Sequence, residues 1–96
     1  MQYQSTRGAA PVSLDDALVQ GIATDGGLFL PVSLPEFSNE DFAGAEGIHA
    51  IASILLAPFF DSSSLQAELD TIIAETFDFP VPVTPLSVDA GYCGLL

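Results

Sequence analysis

The sequence predicts a small α/β domain of the α+β type, rich in helix and with a few short strands. Apolar residues recur at helical spacing in three segments, whereas short β-forming runs are bounded by glycine or proline. Of the 96 residues, 49% are hydrophobic and 15% are charged, so the chain has enough apolar surface to build a core. We therefore expect one domain over residues 1–96.

The first strand and the first helix are predicted near the N-terminus. Tyr3 to Thr6 is a β-forming run that ends before Gly8. Ser13 is expected to cap a helix, because Asp16 follows three residues later as in a capping box. The predicted apolar face of this helix comprises Leu14, Ala17, Leu18, Gly21 and Ile22. Gly21 can also end the helix.

The middle of the chain predicts a turn, a strand and the central helix. The glycines at 26 and 27 permit a sharp reversal, after which Leu28-Phe29-Leu30 is expected to form a short buried strand. Ser38 can cap a helical turn. The apolar segment from Ile48 to Leu56 predicts the central helix, which Pro58 is expected to end or kink.

The last third predicts one more helix and then extended chain. The Asp61-Ser62-Ser63-Ser64 cluster offers a cap to this helix. From Phe77 to Asp89 three prolines favour extended backbone. The predicted apolar face of the helix comprises Leu65, Leu69, Ile72, Ile73 and Thr76.

The apolar run from Tyr92 to Leu96 predicts a final strand. The sequence stops within this run without a polar tail, so we expect a truncation inside that strand and a native chain that continues. An unpaired edge recruits partners, which predicts self-association through residues 92–96.

The charge balance excludes several classes of partner. Thirteen Asp and Glu residues stand against a single Arg7 and no lysine, which gives a formal net charge of −12. One cation cannot displace the counterions of a nucleic acid, and an anionic membrane surface is disfavoured for the same reason. The longest apolar stretch, Ile48 to Phe60, is shorter than the roughly 20 residues of a membrane-spanning helix. We expect neither nucleic acid nor a membrane as a partner.

A cytoplasmic location is expected from two features of the sequence. Cys93 is the only cysteine, so no internal disulfide can form. The first residues contain no basic segment followed by an apolar run, which a secretory signal would need.

Four distinctive segments follow one another along the chain. They are Tyr3-Gln4-Ser5-Thr6-Arg7-Gly8, Ala17-Leu18-Val19-Gln20-Gly21-Ile22-Ala23, Asp25-Gly26-Gly27-Leu28-Phe29-Leu30-Pro31 and Phe77-Asp78-Phe79-Pro80. In this order the four signals resemble the threonine synthase family, which the segment from Glu36 to Ser64 matches by helical pattern alone. The resemblance implies conversion of O-phosphohomoserine and water to threonine and phosphate, with pyridoxal 5′-phosphate as the electron sink.

The resemblance also implies that a catalytic domain with a His-Gly-Pro-Thr element and a Schiff-base lysine follows in the same polypeptide. A Schiff base needs a primary amine, and this chain has no lysine side chain. We therefore expect no catalytic and no cofactor-binding residue here, and a role in supporting the cofactor domain. The alternative is a stand-alone interaction module derived from the same N-terminus.

Ser5, Thr6 and Arg7 are the candidates for substrate binding in the full-length enzyme. Arg7 is the one fixed cation and could face a phosphate, although an ion pair with a nearby Asp or Glu is the favoured alternative. Ser5 and Thr6 could donate to substrate or support the following turn. The Asp25-Gly26-Gly27 segment leads into a strand and not into a helix, which favours a structural turn over a phosphate loop.

Two further residues have polar or nucleophilic side chains but no partners in the sequence. His49 is the single histidine, so a structural position on the helix is favoured over catalysis or metal binding. Cys93 lies in an apolar run and is expected to behave as a small buried hydrophobe. No metal site is expected, because the acidic residues form no dense calcium loop.

Overall fold

The α+β class predicted from the sequence is confirmed. The structure is a computed structural model that describes residues 1–88 and 91–95, with the side-chain environment described for residues 1–86. Within those ranges it contains three α-helices and five strands, together with short 3-10 turns. The strands form two antiparallel sheets, one at each end of the sequence.

The N-terminal sheet has three strands. Strand β1 (Gln2–Ser5) lies between β2 (Val12–Ser13) and β3 (Phe29–Pro31), and both pairings are antiparallel. The covered face of β1 carries Tyr3 and Ser5, which are 8% and 4% exposed, whereas the residues between and beside them are exposed. This alternation is that of a strand with one buried face, so the predicted first strand is confirmed.

Helix α1 (Leu14–Gln20) follows directly after β2. The Oγ of Ser13 accepts a hydrogen bond from the Asp16 N–H at 3.2 Å, as the sequence predicts. Gly21 ends the helix with a φ of 71°, which a residue with a side chain adopts at a cost. Of the predicted apolar face, Ala17 is buried and the larger side chains are not.

The prediction of a buried strand at residues 28–30 is wrong in its burial. Leu28 and Leu30 are 63% and 53% exposed, while Phe29 between them is half-buried. Successive side chains of a strand point to opposite faces, and only the face of Phe29 is covered here. The two leucines therefore lie on a face that residues 1–86 leave open.

A helical pair forms the second half of the chain. It consists of α2 (Gly47–Leu56) and α3 (Leu69–Thr76), which contact each other through a small core of Ala52, Leu69 and Ile73. Ile73 is 2% exposed and is the most deeply buried large side chain of the described residues. The apolar stripe predicted for the last helix is thus confirmed at Leu69 and Ile73, whereas its last predicted member, Thr76, is exposed.

Short 3-10 turns modify both helices of this pair. Helix α2 ends at Leu56 and is followed by a 3-10 turn at Ala57–Phe60 that contains Pro58, so the predicted end of the helix at this proline is confirmed. The prediction that the serine cluster caps the last helix is wrong. The Oγ of Ser63 accepts from the Leu65 N–H at 3.1 Å, just before the 3-10 turn at Gln66–Glu68. Helix α3 begins only at Leu69, and its first position follows Glu68, whose side chain makes no capping hydrogen bond. The turn predicted at Ser38 is also 3-10, at Asn39–Phe42.

Several hydrogen bonds join the sheet half to the helical half, including one from the Met1 amino group to the Asp61 carbonyl at 3.1 Å. Ser63 Oγ donates to one carboxylate oxygen of Asp15, and the Ser64 N–H donates to the other at 3.1 Å. These bonds from Ser63 and Ser64 lower the pKa of Asp15. The Tyr3 hydroxyl donates to the Phe59 carbonyl at 2.7 Å. The N-terminal sheet is thereby fixed against the 3-10 turn after α2.

A two-stranded hairpin follows the helical pair. Its strands are β4 (Thr84–Val88) and β5 (Gly91–Leu95), whose principal contacts are with each other. The extended chain predicted from Phe77 is confirmed as far as Val88, and the strand predicted from Tyr92 is confirmed as far as Leu95. Asp89 and Leu96, the last residues of the two predictions, lie outside the described residues. The radius of gyration is 17.1 Å, above the roughly 12–13 Å expected for a compact domain of this length.

Within the described ranges, the helices are all too short, or too polar, to cross a lipid bilayer.

Candidate functional site

The two most distinctive segments of the sequence meet at the carboxylate of Asp25. Its Oδ1 accepts from the Ser5 hydroxyl at 2.6 Å and from the Gly27 N–H at 2.9 Å. Its Oδ2 accepts from the Ala9 N–H at 2.9 Å. The donors come from the end of β1, from the loop after it and from the glycine turn. One side chain therefore holds three separate segments, and we call this arrangement the Asp25 lock.

The same hydrogen bonds explain the electrostatics of Asp25. The Ser5 hydroxyl contributes most to lowering the pKa of this carboxyl, followed by the Gly27 amide. Burial opposes this effect, and the Ala9 amide adds a weaker contribution that lowers the pKa further. Asp25 is therefore ionised at neutral pH. A charged acceptor also strengthens each of its hydrogen bonds.

Gly27 is required by close packing inside the lock. A Cβ at this position would collide with Ser5 Oγ and would lie 3.0 Å from both the Arg7 nitrogen and Thr6 Oγ1. Gly26 has a φ of 81°, in the region that favours glycine. The turn amides are occupied within the chain, since the Gly26 N–H donates to Ala23 and the Gly27 N–H to Asp25. This favours a structural turn over an anion cradle.

The three predicted substrate-binding residues lie side by side but differ in exposure. Ser5 is buried, and its hydroxyl both donates to Asp25 and accepts from the Arg7 N–H at 3.0 Å. Thr6 is exposed, and its Oγ1 accepts from the Leu28 N–H at 3.0 Å. Arg7 is exposed, and its Nη1 donates to the main-chain carbonyl of Asp25 at 3.3 Å. The hydrogen bond of the guanidinium thus goes to a carbonyl, whereas the favoured alternative was a carboxylate.

His49 and Cys93 lie apart from the Asp25 lock. His49 is exposed on α2, and its Nε2–H donates to the Phe77 carbonyl at 2.5 Å, which ties α2 to the end of α3. This contact gives the histidine a structural position. The predicted burial of Cys93 concerns a side chain outside the described residues. Among the residues that were placed, no three His, Cys, Asp or Glu side chains are arranged to hold a metal ion.

One local signal in the sequence indicates part of the lock. An aspartate two residues before an amide donor forms an Asx turn, and Asp25 stands in that relation to Gly27. The spacing therefore favours a carboxylate that bonds its own turn. The partners Ser5 and Ala9 depend on chain folding, and no local pattern indicates them.

Comparison with known families identifies these segments. The family model described as the threonine synthase N terminus matches residues 2–77. The chain is 40% identical over 80 residues to threonine synthase of Pseudomonas aeruginosa, which covers 80% of this chain and 17% of that protein. It is 32% identical over 111 aligned residues to threonine synthase of Corynebacterium glutamicum, covering 100% of this chain and 23% of that protein.

Two solved structures have the same fold. Threonine synthase from Escherichia coli superposes with a TM-score of 0.76 and 28% identity, covering 88% of this chain and 20% of that chain. Threonine synthase with bound PLP from Brucella melitensis superposes with a TM-score of 0.74 and 29% identity, covering 98% of this chain and 22% of that chain. The chain spans about a fifth of the length of these relatives. It belongs to the threonine synthase family and corresponds to its N-terminal region, as the four sequence signals predicted.

Proposed function

We propose that residues 1–96 are the N-terminal domain of a threonine synthase that acts in the cytoplasm. The proposed reaction of the full-length protein converts O-phosphohomoserine and water to threonine and phosphate. The match of the family model over residues 2–77 carries this proposal. The short share of each relative that the chain covers, 17% and 23%, supports a longer polypeptide in which the remaining part performs the chemistry.

The residues of this chain do not fit pyridoxal phosphate, so we assign the cofactor to the rest of the polypeptide. The cofactor's aldehyde needs a lysine amine, and the sequence has no lysine. Its phosphate needs donors, yet the glycine turn directs its amides to Asp25 and Ala23. The contribution of this domain is therefore structural, through the Asp25 lock and the helical pair.

Besides this structural role, we assign a contact with the phosphorylated substrate to Arg7, with Ser5 and Thr6 fixing its loop. Three observations support the assignment. Arg7 is the only Lys or Arg of the chain, its side chain is exposed, and its own N–H is held by Ser5. A guanidinium on a fixed loop is well suited to a phosphate, because its planar fork can make two parallel hydrogen bonds.

Steady-state kinetics of the full-length protein test the role of Arg7. We expect Arg7→Ala to raise KM for O-phosphohomoserine about ten-fold or more with an unchanged melting temperature, because a charge-assisted bond of roughly 1.5–3 kcal/mol is lost. Arg7→Lys keeps the charge and should recover part of the affinity. A lower melting temperature with an unchanged KM would assign Arg7 a structural role.

A complementation experiment tests the proposed function as a whole. In a bacterial strain that lacks threonine synthase, the full-length polypeptide should restore growth without threonine, whereas residues 1–96 alone should not. Growth supported by residues 1–96 would contradict the structural role. Failure of a well-expressed full-length protein would contradict the assigned activity and would favour the stand-alone interaction module.

A further inference from the structure

The surface between α1 and β3 forms an apolar groove with a volume of about 440 Å³. We call it the α1/β3 groove and define it by Leu14 and Leu18 of α1 together with Leu28 and Leu30 at β3. Of the residues whose side chains are described, no Asp, Glu, Lys or Arg lines it, although the chain as a whole carries a formal charge of −12. The groove is thus an uncharged surface on an acidic molecule.

Several leucine side chains of this groove are more than half exposed, which is unfavourable in free energy in water. Leu18, Leu28 and Leu30 are 59%, 63% and 53% exposed, and the nearby Ile22 is 61% exposed. Each Å² of apolar surface left in water forgoes about 25 cal/mol. A contiguous patch of this kind marks an interaction surface, whereas single exposed leucines are common on any protein. The sequence pattern agrees, since the helical stripe of α1 is that of a buried face.

We propose that the α1/β3 groove is the docking surface for the remainder of the same polypeptide, which presents apolar side chains to it. This inference rests on the proposed function, because it assumes the longer chain. The relatives contain that longer chain, since the aligned part is 17% and 23% of their length. A covalently linked partner is present at a high effective concentration, so a small groove is sufficient for docking within one polypeptide.

The charge of the chain argues against a second copy as the occupant. Two copies of −12 repel each other, and the groove has no cationic rim to offset the repulsion. An apolar partner surface is required, because polar groups that covered the leucines would lose their water without gaining hydrogen bonds. The remainder of the polypeptide therefore fits the groove better than a second copy.

Cysteine accessibility in the full-length protein tests the docking surface. Leu18→Cys and Leu30→Cys place thiols in the groove, and Val19→Cys is the matched control, because Val19 is 87% exposed and does not line the groove. The wild-type protein supplies the background of its native Cys93. We expect maleimide to label the two groove variants at least ten-fold more slowly in the native protein than after unfolding in urea. If the groove is open, these variants should label within about two-fold of Val19→Cys.

Each outcome decides the proposal. Equal rates in the groove and control variants overturn it, and so does protection that disappears on dilution, which would assign the groove to a second copy. Threonine formation by the same preparations separates the two hypotheses. If the protein forms threonine but the groove is accessible, the docking hypothesis is rejected and the proposed activity stands. If the groove is protected but the protein forms no threonine, the proposed activity is rejected and the docking hypothesis stands. If a variant does not fold, hydroxyl-radical footprinting of Leu28 and Val19 in the wild-type protein gives the same comparison.

Discussion

Replacement of Gly27 by alanine should destabilise the N-terminal sheet more than the same replacement at the other glycines of residues 1–86. The added Cβ would collide with the buried Ser5 Oγ and press on the Arg7 nitrogen and Thr6 Oγ1 at 3.0 Å. Neither backbone nor a buried hydroxyl can move aside freely. Overpacking of this kind costs about 1–3 kcal/mol, and the close main-chain contact places Gly27→Ala near the upper end of that range.

Thermal unfolding followed by circular dichroism measures this effect. One kcal/mol lowers the melting temperature of a domain of this size by about 4–8 °C, so a decrease of about 10–20 °C is expected. Gly44→Ala is the control, because Gly44 has a φ of 77° and an added Cβ would meet nothing within 4 Å. Its backbone strain alone costs about 1–2 kcal/mol. Should both variants unfold within about 3 °C of each other, close packing of the glycine turn against β1 would be refuted.

Four further predictions concern the core, the pH dependence, the cofactor and association. Ile73→Ala should lower the unfolding free energy by about 2–5 kcal/mol in urea denaturation, because Ile73 is 2% exposed, whereas Ile51→Ala, at a side chain 39% exposed, should cost far less. Asp15 and Asp25 have lowered pKa values, so their stabilisation is present above the ordinary aspartate pKa of about 3.9 and is lost as the pH falls through the lower folded-state value. The midpoint of urea unfolding should therefore fall as the pH is lowered, and it should fall less steeply in Asp25→Asn than in the unchanged protein. If the midpoint of both proteins had the same dependence on pH, this prediction would be contradicted. Mass spectrometry after borohydride should find no side-chain adduct of pyridoxal phosphate on residues 1–96, and a stoichiometric side-chain adduct would overturn the lysine argument. Sedimentation should show that residues 1–96 associate more strongly as the salt concentration rises, whereas a chain ending at Asp89 does not. If residues 1–96 stay monomeric at all salt concentrations, residues 92–96 pair only within the β4–β5 hairpin.

Local signals predicted the elements of this fold well. Helix α1 begins after Ser13 and ends at Gly21, as expected, because capping and left-handed glycine conformations depend on a few adjacent residues. The buried positions Leu69 and Ile73 follow from helical periodicity. The burial of Leu28 and Leu30 was predicted wrongly. An apolar run indicates side chains that favour contact with other apolar groups, but it does not identify the segment that makes this contact.

The candidate site was predictable only in part. The motifs around Ser5 and Gly27 were found from the sequence, but their meeting at Asp25 depends on the pairing of β1 with β3. The link from Asp15 to Ser63 likewise joins residues far apart in the chain, and it depends on how the two halves pack. Single-sequence patterns contain no signal for such long-range hydrogen bonds.

The proposed function places the chemistry of a threonine synthase outside residues 1–96, which support the fold of the enzyme. An assay of threonine and phosphate released from O-phosphohomoserine tests it directly, with pyridoxal phosphate added to two purified samples. The full-length polypeptide should form threonine and phosphate in equal amounts, and residues 1–96 alone should form neither. Product from residues 1–96, or a folded full-length protein that releases neither product, would contradict the claim.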